Sequence, residues 1–500
     1  MNIPALQQET ATFLTSLSGT APLETHISLV FLGSDTVWKL KKAVKLSFLD
    51  FSTIEARRHF CQRELAVNAP AAPGLYRDVV PVIRAADGTL ALGNVADAAA
   101  AVDWVVRMAR VPAGDFLDEF AARGALSPLL LDQTADTVAA YHLALPAAKV
   151  LAPADAMRRV LSGNRHAGEA AKLDPAALAA WHAAIAATTE RLAPWLDQRG
   201  ADGFIRRSHG DLHLGNLCLW HGRPMPFDAL EFNEDLATID LGYDLAFLLM
   251  DLDHRVGRPA ANRVLNRYIA RTGDADLVRG LPVFLSMRAV IRAHVEAMRG
   301  NSANAQTYLA AGIAYLRPGI PLIVAIGGLP GTGKSTLARV LAPELGPAPG
   351  ALIARSDEIR KRLHGVLPEA KLPSSAYSSA ANLKVFTELL HQAQTAAGAG
   401  HAVIADATFI DPLHRPALRN AAKIAGVRFV GLWLEAPFDI LAARIAARRN
   451  DASDATLAVL TATAGSPDAQ AGDWTLIPAL DSDVALAAAR KAVMSVPAVC

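Results

Sequence analysis

Gly328-Leu329-Pro330-Gly331-Thr332-Gly333-Lys334-Ser335 decides the fold of the back part of this 500-residue chain. The stretch fits GxxxxGK[ST] at every fixed position. The apolar run LIVAIGG enters it and the helical run STLARVLAPEL leaves it, which is the strand-loop-helix setting of a P-loop. Glycines let backbone N–H groups converge on phosphate oxygens, and the helix N-terminus adds partial positive charge. Gly328, Gly331, Thr332, Gly333 and Thr336 are therefore expected to cradle a nucleotide. Lys334 is expected to reach its β/γ-phosphates and Ser335 to hold magnesium. The implied cofactors are ATP, or a close relative, and Mg2+.

Outward from the loop, apolar strands alternate with helices: LIVAI, ALIAR, HAVIA, RFVGLWL and WTLIPAL. That rhythm predicts a parallel sheet covered on both faces, an α/β P-loop NTPase domain. Arg317-Pro318-Gly319-Ile320-Pro321 punctuates the chain before it, so domains are expected over 1–315 and 316–500. In ALIARSDEIRKRL, Asp357 follows a strand at the sheet's carboxyl edge, where open α/β sheets bind ligands. It can orient or deprotonate an acceptor hydroxyl, and Arg360 lies one turn on, on the acceptor side. Asp406 ends the strand in HAVIADATF and is read as a carboxylate acting through magnesium. Arg444 and Arg448, four apart in LAARIAARRND, are expected on one helix face, closing over the transferring phosphoryl group. Residues 321–460 resemble the small P-loop kinases related to gluconate kinase, polynucleotide kinase and zeta-toxin-type enzymes. The resemblance implies that Asp357 faces the acceptor.

The front part carries a second motif. His209-Gly210-Asp211-Leu212-His213-Leu214-Gly215-Asn216 has HxDxxxxN spacing, that of a kinase catalytic loop. Asp211 would accept the proton of a substrate hydroxyl and Asn216 would hold a metal ion. LCLW, a His221-Gly222 turn and MPFDALEF then predict a hairpin that returns Asp228 beside Asn216 as a second metal ligand. Upstream, ISLVFL and TVWKLK read as strands joined at Gly33-Ser34-Asp35, and a helix follows from Thr53 to about Val67. Lys39 and Lys41 alternate onto one strand face. Either can meet the α/β-phosphates, with Lys39 preferred, and Glu64 is the expected ion-pair partner. WVVRMA is the expected hinge strand, and Asp244 is expected to brace the catalytic loop from below.

Over residues 20–300 these features resemble the aminoglycoside phosphotransferase-like branch of the kinase fold. That implies an α+β, kinase-like, two-lobed domain. Residues 20–300 contain no GxGxxG loop, DFG triplet or APE-type activation segment, which points away from protein kinases. The order of the two parts is similar to bacterial two-domain proteins described as aminoglycoside phosphotransferase-like and ATP-binding. The expected function is an ATP-dependent phosphotransferase with two nucleotide sites and a small-molecule hydroxyl acceptor. The alternative is a nucleotide-binding regulatory protein with a pseudokinase front half.

Bulk properties agree with two folded domains. Hydrophobic residues make up 52%, too many for a disordered chain, and the formal net charge is +1, which argues against a nucleic-acid or membrane-surface partner. The cysteines Cys61, Cys218 and Cys500 are too scattered for a disulfide framework or zinc site. MNIPALQQETATFL lacks the pattern of a signal peptide, and no apolar run reaches membrane-spanning length, so a cytoplasmic protein is expected.

Overall fold

The computed structural model describes residues 3–46, 49–150, 152–449 and 451–495; Cys500 lies outside them. The chain divides into two compact units. One comprises Met1–Ala156 with Pro194–Leu248, the other Met157–Ala193 with Leu249–Cys500.

The first unit is built on a six-stranded antiparallel sheet. Its spatial order is Leu23–Glu24, Ser28–Leu32, Thr36–Lys41, Ala101–Ala109, Tyr76–Arg84 and Leu90–Leu92. Alternation along Thr36–Lys41 sorts its side chains. Trp38 and Leu40 join Leu29, Phe31 and Val105 in a core closed by Ala11 and Leu14 of the helix Gln8–Ser18. Lys39 and Lys41 take the other face, towards the helix Ile54–Asn68. Thr53 caps that helix by accepting from Ala56 N at 3.1 Å. Further on, Leu217–Trp220 and Arg223–Pro226 pair antiparallel. His221 and Gly222 both have positive φ, at 51° and 75°, the backbone a two-residue hairpin turn requires.

The second unit contains a five-stranded sheet, parallel throughout. Its order is Leu352–Arg355, Val403–Asp406, Leu322–Gly328, Arg428–Glu435 and Thr475–Pro478. The first strand in sequence is thus central. Its side chains are all buried, as a strand covered on both faces demands. The register sets Ile326 and Arg355 on either side of Asp406, so the carboxyl edge gathers the groups that the sequence assigns to chemistry.

This unit includes residues on both sides of Arg317–Pro321. The helix Arg258–Thr272 lies along the edge strand Leu352–Arg355 and bonds to it as a neighbouring strand would. Ile353 N–H donates to Asn266 Oδ1 at 2.6 Å, and the Nδ2 groups of Asn262 and Asn266 donate to Ala351 O at 3.1 and 3.2 Å. Two asparagines four apart on a helix thereby satisfy backbone groups that an uncovered edge leaves unpaired.

Candidate functional site

In the first unit, the loop and the hairpin bring the predicted groups together. Asn216 Nδ2 donates to Asp211 O at 2.8 Å and to Asp211 Oδ2 at 3.0 Å. Phe227 N–H donates to Asn216 O at 3.0 Å, which draws Asp228 alongside. Asp228 lies beyond the hairpin's second strand. The strand stops at Pro226, and Asp228 stands two residues on with φ +61°, an uncommon backbone for a residue with a Cβ. Side chains from other elements hold it there. Asp228 N–H donates to Tyr76 Oη at 2.9 Å and Ala229 N–H to Asn68 Oδ1 at 2.7 Å.

Lys39 Nζ sits 2.8 Å from Glu64 Oε1 and also contacts Asp228 Oδ1. Burial opposes the charge on Lys39, but Asp228 and Glu64 outweigh it and raise its pKa well above the ordinary value. Burial likewise opposes the Glu64 carboxylate, and Lys39 with Lys41 brings it down to about 2. The two lysines differ in surroundings. Lys41 is fully buried between Glu64 Oε2, at 2.6 Å, and Glu231 Oε1, while Lys39 reaches the half-exposed Asp228. Glu231 was missed in the sequence, although FDALEF sets it three residues after Asp228.

Beneath the loop, Asp244 is fully buried and accepts from His209 N at 3.0 Å and Gly210 N at 2.9 Å. His142, on the helix Pro128–Ala144, joins it with Nε2 3.1 Å from Asp244 Oδ2. No sequence signal pointed to His142, which lies a hundred residues away. His209 is kept neutral, because burial lowers its pKa. Nε2–H donates to Phe227 O at 2.8 Å while Nδ1 accepts from Asp211 N at 3.3 Å. The loop is thereby tied both to the hairpin and to the helix Leu241–Arg255.

In the second unit, a cavity of about 1290 Å³ opens at the P-loop, lined by Lys334, Ser335, Asp357, Asp406, Arg444 and Arg448 among others. Gly328 and Gly331 have φ of +135° and +86°, and a Cβ on either would meet Leu434 O at 2.5 Å or Leu441 O at 2.8 Å. Only glycine fits there. Lys334 Nζ donates to Gly328 O and Leu329 O, each at 2.9 Å. Burial brings its pKa down to about 8, opposed by Asp406 and Asp357 and assisted by Arg448 and Arg355. Burial pushes the Asp357 carboxyl up, Arg355 pulls it down, and Asp406 adds to the rise.

Magnesium fits this donor set. Asp406 is 2% exposed, and its Oδ2, 3.7 Å from Arg355 Nε, accepts no hydrogen bond among the described residues. A buried carboxylate oxygen in a cavity that Ser335 also lines suits a hard cation that takes few protein ligands and keeps phosphate oxygens and waters. Among the described residues no cluster of three or more His, Cys, Asp or Glu side chains could hold a metal ion.

The arginines depart from expectation. The helix Phe438–Ala447 ends one residue before Arg448, which has extended backbone at φ −62° and ψ 133°. The two therefore do not share a helix face. The chain turns out there and carries Asp451 to Arg355, whose Nη2 donates to Asp451 Oδ1 at 2.8 Å. Arg444 is engaged, donating to Ala479 O at 2.8 Å and Leu480 O at 2.9 Å. Arg448 Nη1 is buried and makes no hydrogen bond among the described residues. Arg360 donates from Nη1 to Ala376 O at 2.7 Å and stacks on Tyr377 at 4.6 Å.

Comparison with known proteins found the following likenesses. Residues 323–466 match the model of a family described as AAA domain. An adenylyl-sulfate kinase of Myxococcus xanthus is 31% identical over 122 residues, 24% of this chain and 62% of that enzyme. Aminoglycoside 2'-phosphotransferase-IIIa, solved as its GDP complex, aligns with 62% of this chain and 99% of its own at 13% identity and a TM-score of 0.38. An uncharacterized protein of Mycobacterium tuberculosis is 30% identical over 485 residues, covering 90% of each chain. The chain belongs to the same family as that mycobacterial protein, and in it a front unit built on an antiparallel sheet precedes a P-loop on a parallel sheet, within the stretch that matches an AAA domain.

Proposed function

We propose that the chain is an ATP-dependent phosphotransferase with two nucleotide sites, one in residues 1–315 and one in 316–500. Each would transfer the γ-phosphate of ATP to the hydroxyl of a small molecule in the cytoplasm. The observation that carries the reading is the meeting of Asp211, Asn216, Asp228 and Lys39. A protein that only senses nucleotide needs Lys39 and a metal-binding pair but has no use for the base, and Asp211 is present, part-exposed, with Asn216 and His213 against its carboxylate. That speaks against the pseudokinase alternative.

In the front site, Asp211 would take the acceptor proton at its carboxylate, with Asn216 holding that carboxylate in line. Lys39 would leave Asp228 for the phosphates. Asn216 and Asp228 would hold Mg2+, which when bound neutralises charge on the phosphate oxygens. In the back site, Lys334 would turn from the loop carbonyls to the β/γ-phosphates and Asp357 would orient the acceptor. Arg448 would meet charge on the transferring group. Ser335 and Asp406 would hold the metal.

The test uses full-length chain. Lys334→Ala should abolish nucleotide turnover at the back site while the protein stays folded. In that background Asp211→Asn should still bind MgATP but lose transfer to a responsive acceptor by about 10²–10⁴-fold, the usual worth of a general base. Asp228→Asn should lose magnesium-dependent binding as well. Wild-type binding and activity in both would overturn the front-site reading.

A further inference from the structure

The front site holds more buried charge than a phosphate-binding lysine and its partner require. Lys39 and Lys41 project from one strand face, and Glu64 gives one oxygen to each, Oε1 at 2.8 Å and Oε2 at 2.6 Å. Lys39 also contacts Asp228, and Lys41 also contacts Glu231. Asp228 and Glu231 belong to one short segment. The five groups therefore form a chain of alternating charge, Asp228–Lys39–Glu64–Lys41–Glu231, across a strand, a helix and the metal-side segment, with both ends on that one segment. Its exposure is graded. The side chains of Lys41 and Glu64 are 0% exposed and that of Glu231 4%, against 12% for Lys39 and 41% for Asp228. The Phe51 ring, 5.2 Å from Lys41 Nζ, covers the inner end.

We propose that Lys41 and Glu231 are a positioning pair that keeps the front nucleotide site assembled and lets Lys39 leave it for the ligand. The inference rests on reading the front half as a nucleotide site. If Lys39 moves to a phosphate, Glu64 loses one partner while staying wholly buried. A buried carboxylate left without a counter-charge is strongly disfavoured, so Lys39 could not be released if it were the only cation. Lys41 remains on Oε2 and removes that barrier. Glu231 in turn holds Lys41 in place and pins the segment three residues beyond Asp228. The chain carries two positive and three negative groups, and its exposed acidic end is Asp228, where a cation is expected. The pair thus does for this site what an ordered activation segment does elsewhere, with no segment to order.

The experiment measures affinity for MgATP and for adenosine by calorimetry, on full-length chain in the Lys334→Ala background. Adenosine lacks the phosphates that Lys39 would meet, so general damage to the fold weakens both ligands, and lost positioning weakens MgATP alone. Lys41→Met and Glu231→Gln are expected to lower MgATP affinity by about ten-fold or more and to leave adenosine affinity unchanged. The double variant Lys41→Met/Glu231→Leu leaves neither member of the pair as an unpaired charge. It is expected to regain the parent's stability without regaining MgATP affinity. A folded variant with the parent's ratio of affinities overturns the proposal, as does failure of all three variants to fold, which would make the pair purely structural. A parent that binds no MgATP refutes the nucleotide-site reading itself, and the pair's role with it.

Discussion

Asn266→Ala should destabilise the P-loop unit through a helix that lies fifty residues before the P-loop strand. Ile353 N–H has Asn266 Oδ1 as its acceptor at 2.6 Å, on a sheet edge covered by the helix Arg258–Thr272. Removing the amide orphans that donor, at a cost of about 1–3 kcal/mol, and deletes the Nδ2 contacts to Ala351 O and to Asn262 O and Oδ1, together worth about 1 kcal/mol. The second loss is softened because Asn262 Nδ2 still reaches Ala351 O at 3.1 Å. Alanine returns roughly 0.5 kcal/mol as the better helix former. The net expectation is a loss of about 2 kcal/mol, read as a lower urea midpoint with unchanged slope. Hydrogen exchange sharpens the assay, because the peptide containing Ile353 should lose protection before the central strand Leu322–Gly328 does. Asn262→Ala/Asn266→Ala should cost more, since Ala351 O is then orphaned too. A change below about 0.5 kcal/mol, with Ile353 still protected, would refute the view that the asparagines stand in for a missing strand. A fragment of residues 316–500 as stable as those residues are in the whole chain would refute it equally.

Other expectations separate structural from catalytic roles. Arg448→Ala should slow back-site turnover by about 10²-fold or more, as loss of one preorganised charge in a closed site does, with little change in stability. Arg444→Ala should instead lower stability by about 1–2 kcal/mol through its two carbonyl contacts; equal effects on turnover would refute the distinction. His401 is fully buried with Nε2–H donating to Gly350 O at 3.0 Å, and burial takes its pKa from 6.5 down to about 4. The unfolded chain binds that proton below pH 6.5 and the native one only below about 4. Stability is therefore full above 6.5 and falls as the pH drops through this window, by about 2 kcal/mol between pH 7 and 5. His401→Gln should flatten that slope in urea titrations run at both pH values, and a slope unchanged from wild type would remove His401 as its source.

The two nucleotide motifs were legible because each constrains the backbone locally. Gly328 and Gly331 occupy positive-φ positions hard against other backbone carbonyls, so no other residue fits and the pattern survives in one-dimensional text. The Asp211–Asn216 spacing is a single tight loop, and the His221-Gly222 turn announces the hairpin that carries Asp228 back to it. Alternation in TVWKLK was likewise enough to set Lys39 and Lys41 on one face. What alternation could not convey is that one carboxylate would serve both lysines, because the partners Glu64 and Glu231 come from elements 23 and 190 residues away. The same holds for His142, and for Asn266 at the sheet edge: each is an ordinary residue on a helix until the fold supplies the group it faces. The arginines show the opposite failure. Four-residue spacing implied one helical face, but the helix ends at Ala447, and beyond it Asp451 bonds to Arg355. That break leaves Arg448 with a buried, unbonded Nη1 at the cavity, whereas a continued helix would have carried it the way of Arg444, whose guanidinium is spent on carbonyls. A charged residue's role here follows from which of its neighbours are already satisfied, and that is a property of the packed chain.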